Sequence, residues 1–184
     1  MASKLRVDHI TPVDGAPTGG GGGIIQIQQT VKTDAFTTST TGSVLDVTGA
    51  NVSITPKFAT SKIFVMISGY YGNDNSDSFA HLFLARSIGG GTVNDDIAIG
   101  DSRGSTTRAT MSAALRNGGG TSSNISRYFG CQFLDSPNTT SSVEYKLRII
   151  VRQGTPAIIG GAASDSDNNR GSYPTFITAM EVSA

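Results

Sequence analysis

Apolar and polar residues alternate with a period of two through most of this chain, the spacing of a strand with one face buried. The cleanest case sets Tyr145, Leu147, Ile149 and Val151 against Glu144, Lys146, Arg148 and Arg152. Phe129, Cys131 and Phe133 alternate with Gly130 and Gln132, Val52 and Ile54 alternate ahead of Pro56, and Ile25, Ile27 and Val31 share a face. Three segments, 63–71, 79–86 and 176–182, are apolar on both faces. In the first of them Ile63, Val65 and Ile67 point one way and Phe64, Met66 and Tyr70 the other. A strand of that kind is either central to a sheet or covered by another subunit. Helical spacing is almost absent. Only 105–115 could form a helix, and its alternation of Arg108, Thr110 and Ser112 with Ala109, Met111 and Ala113 suits a strand as well.

Turn-rich clusters at 72–78, 89–94, 117–124, 135–142 and 160–172 separate these runs. Short strands punctuated in this way predict an all-β, jelly-roll-like antiparallel β-sandwich over residues 24–184. Five glycines, residues 19–23, precede it. Such a run joins neither helix nor strand without a large entropic cost, so it reads as a swivel. Residues 1–18 then form an extended arm whose charges, Lys4, Arg6, Asp8 and Asp14, cancel. Its apolar residues Leu5, Val7 and Ile10 are the candidate anchors, since an extended segment can add to a sheet edge or lie in a groove. A tether followed by a compact β domain is the layout of an assembly component.

Composition sharpens this reading. Only 37% of the 184 residues are hydrophobic and there is no Trp, so the core is thin and two-faced strands call for a partner. Closed cyclic self-association satisfies them without open-ended growth. The candidate interface residues are Phe64, Met66, Tyr70, Phe176 and Met180. Fourteen Lys and Arg balance fourteen Asp and Glu. Zero net charge without a basic cluster argues against nucleic acid, and it removes the self-repulsion that keeps proteins apart. No segment approaches the run of about 20 apolar residues of a membrane span. The first residues lack the apolar stretch of a secretory signal, so synthesis in a cytoplasm is expected.

The chemistry-bearing residues are few. Gly100-Asp101-Ser102-Arg103-Gly104 matches a nucleophile elbow, but that arrangement needs a histidine after the serine, and His9 and His81 both precede it. Cys131 is the single cysteine, which excludes an internal disulfide and a cysteine-based metal site, and reads as a small buried hydrophobe. Asp165, Asp167 and Asn169 open a calcium-loop-like sequence, yet its twelfth position is Phe176 where a glutamate belongs. No enzyme activity, cofactor or metal is expected.

Several segments resemble small virion structural proteins of tailed bacteriophages, particularly marine and cyanobacterial phages. They are Leu5-Arg6-Val7-Asp8-His9-Ile10 followed by Asp14-Gly15, and the glycine run into Ile24-Ile25-Gln26-Ile27-Gln28-Gln29-Thr30-Val31. Val52-Ser53-Ile54-Thr55-Pro56 leading to Ser61-Lys62-Ile63-Phe64-Val65, Leu134-Asp135-Ser136-Pro137, and the terminal Ile177-Thr178-Ala179-Met180-Glu181-Val182 complete the set. The resemblance implies a homotrimer with a jelly-roll domain like those of C1q and TNF. It implies a tail fibre, head fibre or capsid decoration located on the virion and docked by its arm onto another virion protein. The chain lacks the repetitive shaft of a long fibre. The alternative from another class is a host-surface glycan-binding module, with Tyr70, Tyr71, Tyr128 or Tyr173 as stacking platforms.

Overall fold

The computed structural model describes residues 23–73, 77–116, 125–162 and 171–183. Strand β1 (Ile24–Lys32) is followed by β2 (Phe36–Thr38), β3 (Val44–Ile54), β4 (Lys62–Asn73) and β5 (Asp77–Ile88). Then come β6 (Met111–Arg116), β7 (Ile125–Asp135), β8 (Val143–Gln153), β9 (Ala157–Ile159) and β10 (Thr175–Val182). Among the described residues there is no helix, and 105–115 resolves into a loop that enters β6 at Met111. The alternation read from the sequence settles that segment as a strand only where β5 is available to pair with it.

Two antiparallel sheets face each other. The first runs β1-β10-β4-β7, with the short pair β9 and β2 continuing past the end of β10 on the same side of β4. The second runs β3-β8-β5-β6. Of the eight long strands in chain order, the first sheet takes the first, eighth, third and sixth, and the second sheet takes the rest. That is the jelly roll, in which each pair of successive long strands except β5 and β6 swaps sheets. The residues between the sheets are those of the period-two pattern: Ile63, Val65 and Ile67 from β4, Leu82 and Leu84 from β5, and Tyr145, Leu147 and Ile149 from β8, all buried.

Irregularities refine the pattern. A bulge between Ile24 and Gln26 makes Ile25 an extra residue in β1, so Ile24 and Ile27 face outward together and Ile25 does not share their row as its spacing predicted. In β3 the ladder breaks between Asp46 and Asn51, where Gly49 takes φ 81°, a left-handed conformation that a side chain would strain.

Polar groups tie the sheets together at both ends. Near the first end Arg86 of β5 donates from Nη1 to both oxygens of Asp135 on β7, at 2.7 and 2.6 Å, and the Tyr145 hydroxyl donates to the same carboxylate at 2.6 Å. Burial, then the neighbouring Asp135 charge, raises the Tyr145 phenol far above its ordinary range, so it stays a donor. At the other end Tyr71 of β4 shares a hydrogen bond with Ser78 of β5, and Asn73 Nδ2 donates to the Gly154 carbonyl at 3.0 Å. A second carboxylate, Glu181 in β10, is fully buried and accepts from Gln26 Nε2 at 2.6 Å and the Lys57 amide at 2.7 Å. The two chain segments flanking the sandwich meet beside it, with the Ser183 amide donating to the Gly23 carbonyl at 2.9 Å.

Candidate self-association face

The outward side of the β1-β10-β4-β7 sheet follows directly from strand register. Directly opposed residues on neighbouring strands form rows across it. One row is Ile27–Met180–Phe64–Leu134, apolar on all four strands. The next is Gln29–Thr178–Met66–Gln132, and the third Val31–Phe176–Ser68–Gly130. Beyond it Tyr70 pairs with Tyr128. Ile24, opposite Val182, extends the apolar end.

Six large hydrophobic side chains stand exposed among the described residues: Ile24, Ile27, Val31, Tyr128, Leu134 and Phe176, from 39% for Phe176 to 65% for Tyr128. All six lie on this one face. Exposed leucines and isoleucines scattered singly carry no meaning, whereas a contiguous patch does. No charged side chain interrupts the three central rows.

The opposite sheet presents different chemistry. Lys146 of β8 bonds Asp46 and Glu144, and Arg148 bonds Asp46 and Asp95. Arg152 reaches Thr107 at 3.1 Å. Asp95 and Thr107 belong to the β5–β6 connection, which lies along this side, joined by Asn94 to Arg86 of β5. An ionic lattice of this kind is at home in water; a row that is apolar on all four strands is not.

The five residues expected at an interface, Phe64, Met66, Tyr70, Phe176 and Met180, are thus brought onto one surface. Leu5, Val7 and Ile10 lie outside the described residues, as do Asp165, Asp167 and Asn169. Tyr71 is corrected as a stacking platform: it is fully buried between the sheets, because β4 alternates and only its even-numbered residues look outward. Tyr70 stacks on Tyr173 at 4.2 Å and meets Tyr128 edge-on at 5.7 Å. Cys131 is half-buried, and its thiol is pushed up to about 11 by burial, so it stays protonated at neutral pH. Ser102 sits in an exposed loop and His81 inside β5, paired with Ser112 and Ile150. Among the described residues no group of His, Cys, Asp and Glu is arranged to hold a metal ion.

What the sequence left unseen is the row alignment and two apolar members of it, Ile27 and Leu134. Leu134 precedes a turn and reads locally as a strand end; its partner Phe64 lies 70 positions earlier, so only pairing reveals the row.

No family model and no curated protein matches the chain. Among solved structures it is similar to a structure of infectious bursal disease virus, Gx strain, at 12% identity and a TM-score of 0.38, covering 86% of this chain and 36% of the other. It is also similar to a mutant VP2 protein of infectious bursal disease virus in derived T=1 particles, at 12% identity and a TM-score of 0.36, covering 98% and 41%. The chain therefore spans well under half the length of either, and likeness at that level carries no conclusion about activity.

Proposed function

We propose that this chain is a structural protein of a bacteriophage virion: a homotrimeric surface appendage, of tail-fibre, head-fibre or capsid-decoration type, docked onto a neighbouring virion protein through residues 1–18. The self-association part rests on one observation, the apolar row Ile27–Met180–Phe64–Leu134 on a face without central charges. Four strands about 4.8 Å apart and about 30 Å of strand length give a footprint of about 600 Å². That is the order of the roughly 800 Å² each partner gives to a standard interface. A second copy fits this surface better than a charged partner, since no charged side chain stands in its three central rows. The phage setting rests on the resemblance of the arm, the glycine run and the strand motifs.

Light scattering at micromolar concentration tests the first part: a trimer is expected, and Ile27→Asp with Leu134→Asp should yield a folded monomer. A monomeric wild type overturns it. Deleting residues 1–18 tests the second part. The truncated protein should still associate but fail to join particles, and incorporation at normal occupancy would remove the arm as the anchor.

A further inference from the structure

The four strands that border the two sheets are not equally protected. An open edge is a template for another strand, and proteins blunt it by shortness, bulges or irregularity. β1 carries the bulge at Ile25, β3 the break between Asp46 and Asn51, and β6 has only six residues. β7 has none of these. It runs for eleven residues without proline and pairs with β4 in unbroken register from Ile125–Asn73 to Asp135–Ile63. Among the described residues no strand lies on its other side. β6 approaches only part of it, across a cleft of about 290 Å³ lined by Ser112, Ala113 and Ala114 of β6 and by Arg127 and Phe129 of β7. Farther along, Cys131 and Phe133 lie on the same side of β7 as Phe129 but are only half-buried. Arg127 also lies on that side, directly opposite the buried Tyr71. It is exposed and makes no ion pair among the described residues, unlike Arg86, Lys146 and Arg148.

We infer that in the free protein residues 5–10 of the same chain add to this edge as a further strand, with Asp8 against Arg127. An added strand takes its affinity from the main chain and its register from side chains. The occupant follows from where the chain enters. Ile24 pairs with Val182, Val182 with Lys62, and Ile63 with Asp135, so Gly23 and Asp135 lie at the same end of the sheet. β1 and β7 stand three strand spacings apart, about 14 Å, and residues 19–23 span about 17 Å when extended. Thr18 can therefore be delivered beside Asp135. Thr18 comes ten positions after Asp8, and Asp135 eight after Arg127. An arm laid along β7, parallel to it, thus brings Asp8 to Arg127 with two residues to spare for the turn pair Asp14-Gly15. Ile10 shares the Asp8 face of an extended segment and falls on the side of the half-buried Cys131 and Phe133. A second copy of β7 is a poorer occupant: it brings another arginine, and its carboxylate Asp135 is already taken by Arg86 and Tyr145. The inference rests on the reading above in one respect, that residues 1–18 are an arm later passed to a docking partner.

Hydrogen exchange of the full-length protein, read by mass spectrometry, tests this. Amides of residues 5–10 should exchange about tenfold or more slowly than in a synthetic peptide of residues 1–18. Arg127→Asp should remove that protection, as should Asp8→Arg, and the two together should restore it. Arg127 is exposed, so its replacement leaves the core intact. Mass photometry on the same samples reports association separately. An associated protein whose residues 5–10 are unprotected, or protected regardless of Arg127→Asp, or not restored by the charge swap, overturns the added strand and leaves the virion reading standing. A monomer with a protected, Arg127-dependent arm does the reverse.

Discussion

Replacing Asp135 with Asn tests what holds the two sheets together at the end bearing the chain segments. The Asp135 carboxylate is 7% exposed and is the ion-pair partner of Arg86 among the described residues, with Tyr145 as its other donor. The asparagine keeps the shape and removes the charge, so the guanidinium is left in a poorly solvated site without a counter-ion. Breaking a buried pair from one side costs about 3–5 kcal/mol. Arg86 retains 18% of its side-chain exposure, which places the cost near the lower bound, about 3 kcal/mol. For a chain of this size each kcal/mol shifts the melting temperature by about 2–4 °C, so a drop of about 6–12 °C is expected by differential scanning calorimetry at fixed protein concentration. Tyr145→Phe removes one hydrogen bond to a charged group and should cost about 1.5–3 kcal/mol. The triple substitution Arg86→Met, Asp135→Leu and Tyr145→Phe replaces the whole polar group by apolar volume and should recover most of the loss. A melting temperature within about 2 °C of wild type for Asp135→Asn, or a triple variant no better than the single one, would refute the account.

Other outcomes follow from the same structure. Burial alone would raise the Glu181 carboxyl, but donation by Gln26 and by the Lys57 and Phe58 amides outweighs it and holds it below the ordinary range. The stability it contributes is therefore complete above about pH 4.3, the unfolded value, and is lost as pH falls toward its lowered folded value; Glu181→Gln should flatten that acid limb in pH-dependent melts. Gly154 takes φ 75° with the Asp77 carbonyl 2.7 Å from where a Cβ would sit, whereas Gly42 at φ 78° has open space around it. Gly154→Ala should thus destabilise well beyond the roughly 1–2 kcal/mol of left-handed strain expected for Gly42→Ala, measurable by urea denaturation. Ser102→Ala should leave stability and assembly unchanged, and a chelator should move the melting temperature by no more than about 2 °C; a larger drop would show that the protein holds a metal.

Some of this was open to inspection in the sequence, and the reason is locality. The alternation in 144–152 placed Tyr145, Leu147 and Ile149 inside because strand periodicity alone decides it. The two-faced character of 63–71 announced a surface needing cover, and β4 does lie centrally, between β10 and β7. What stayed hidden depends on residues far apart in the chain. Asp135 reads as the first residue of a polar turn, and nothing nearby in sequence brings Arg86, 49 positions before it, to its carboxylate. The bulge at Ile25 shifts which residues face outward, and a single extra residue leaves no mark in composition. Tyr71 looked as available as Tyr70 because an aromatic pair shows no preference until one face of the strand is known to be the core.

The placement of Gly23 against Ser183 has a mechanical side. β1 begins there and runs away from that corner, paired along its length with β10 from Ile24–Val182 to Lys32–Thr175. A pull on the residues preceding Gly23, directed along β1 and away from the body, slides that strand past its neighbour. The ladder bonds lie across the strands, so they are strained together and share the load, whereas a sideways pull would open them one after another. Pulled by its first strand in this way, a jelly roll resists tension as a sheared seam, and gives way most readily when levered outward.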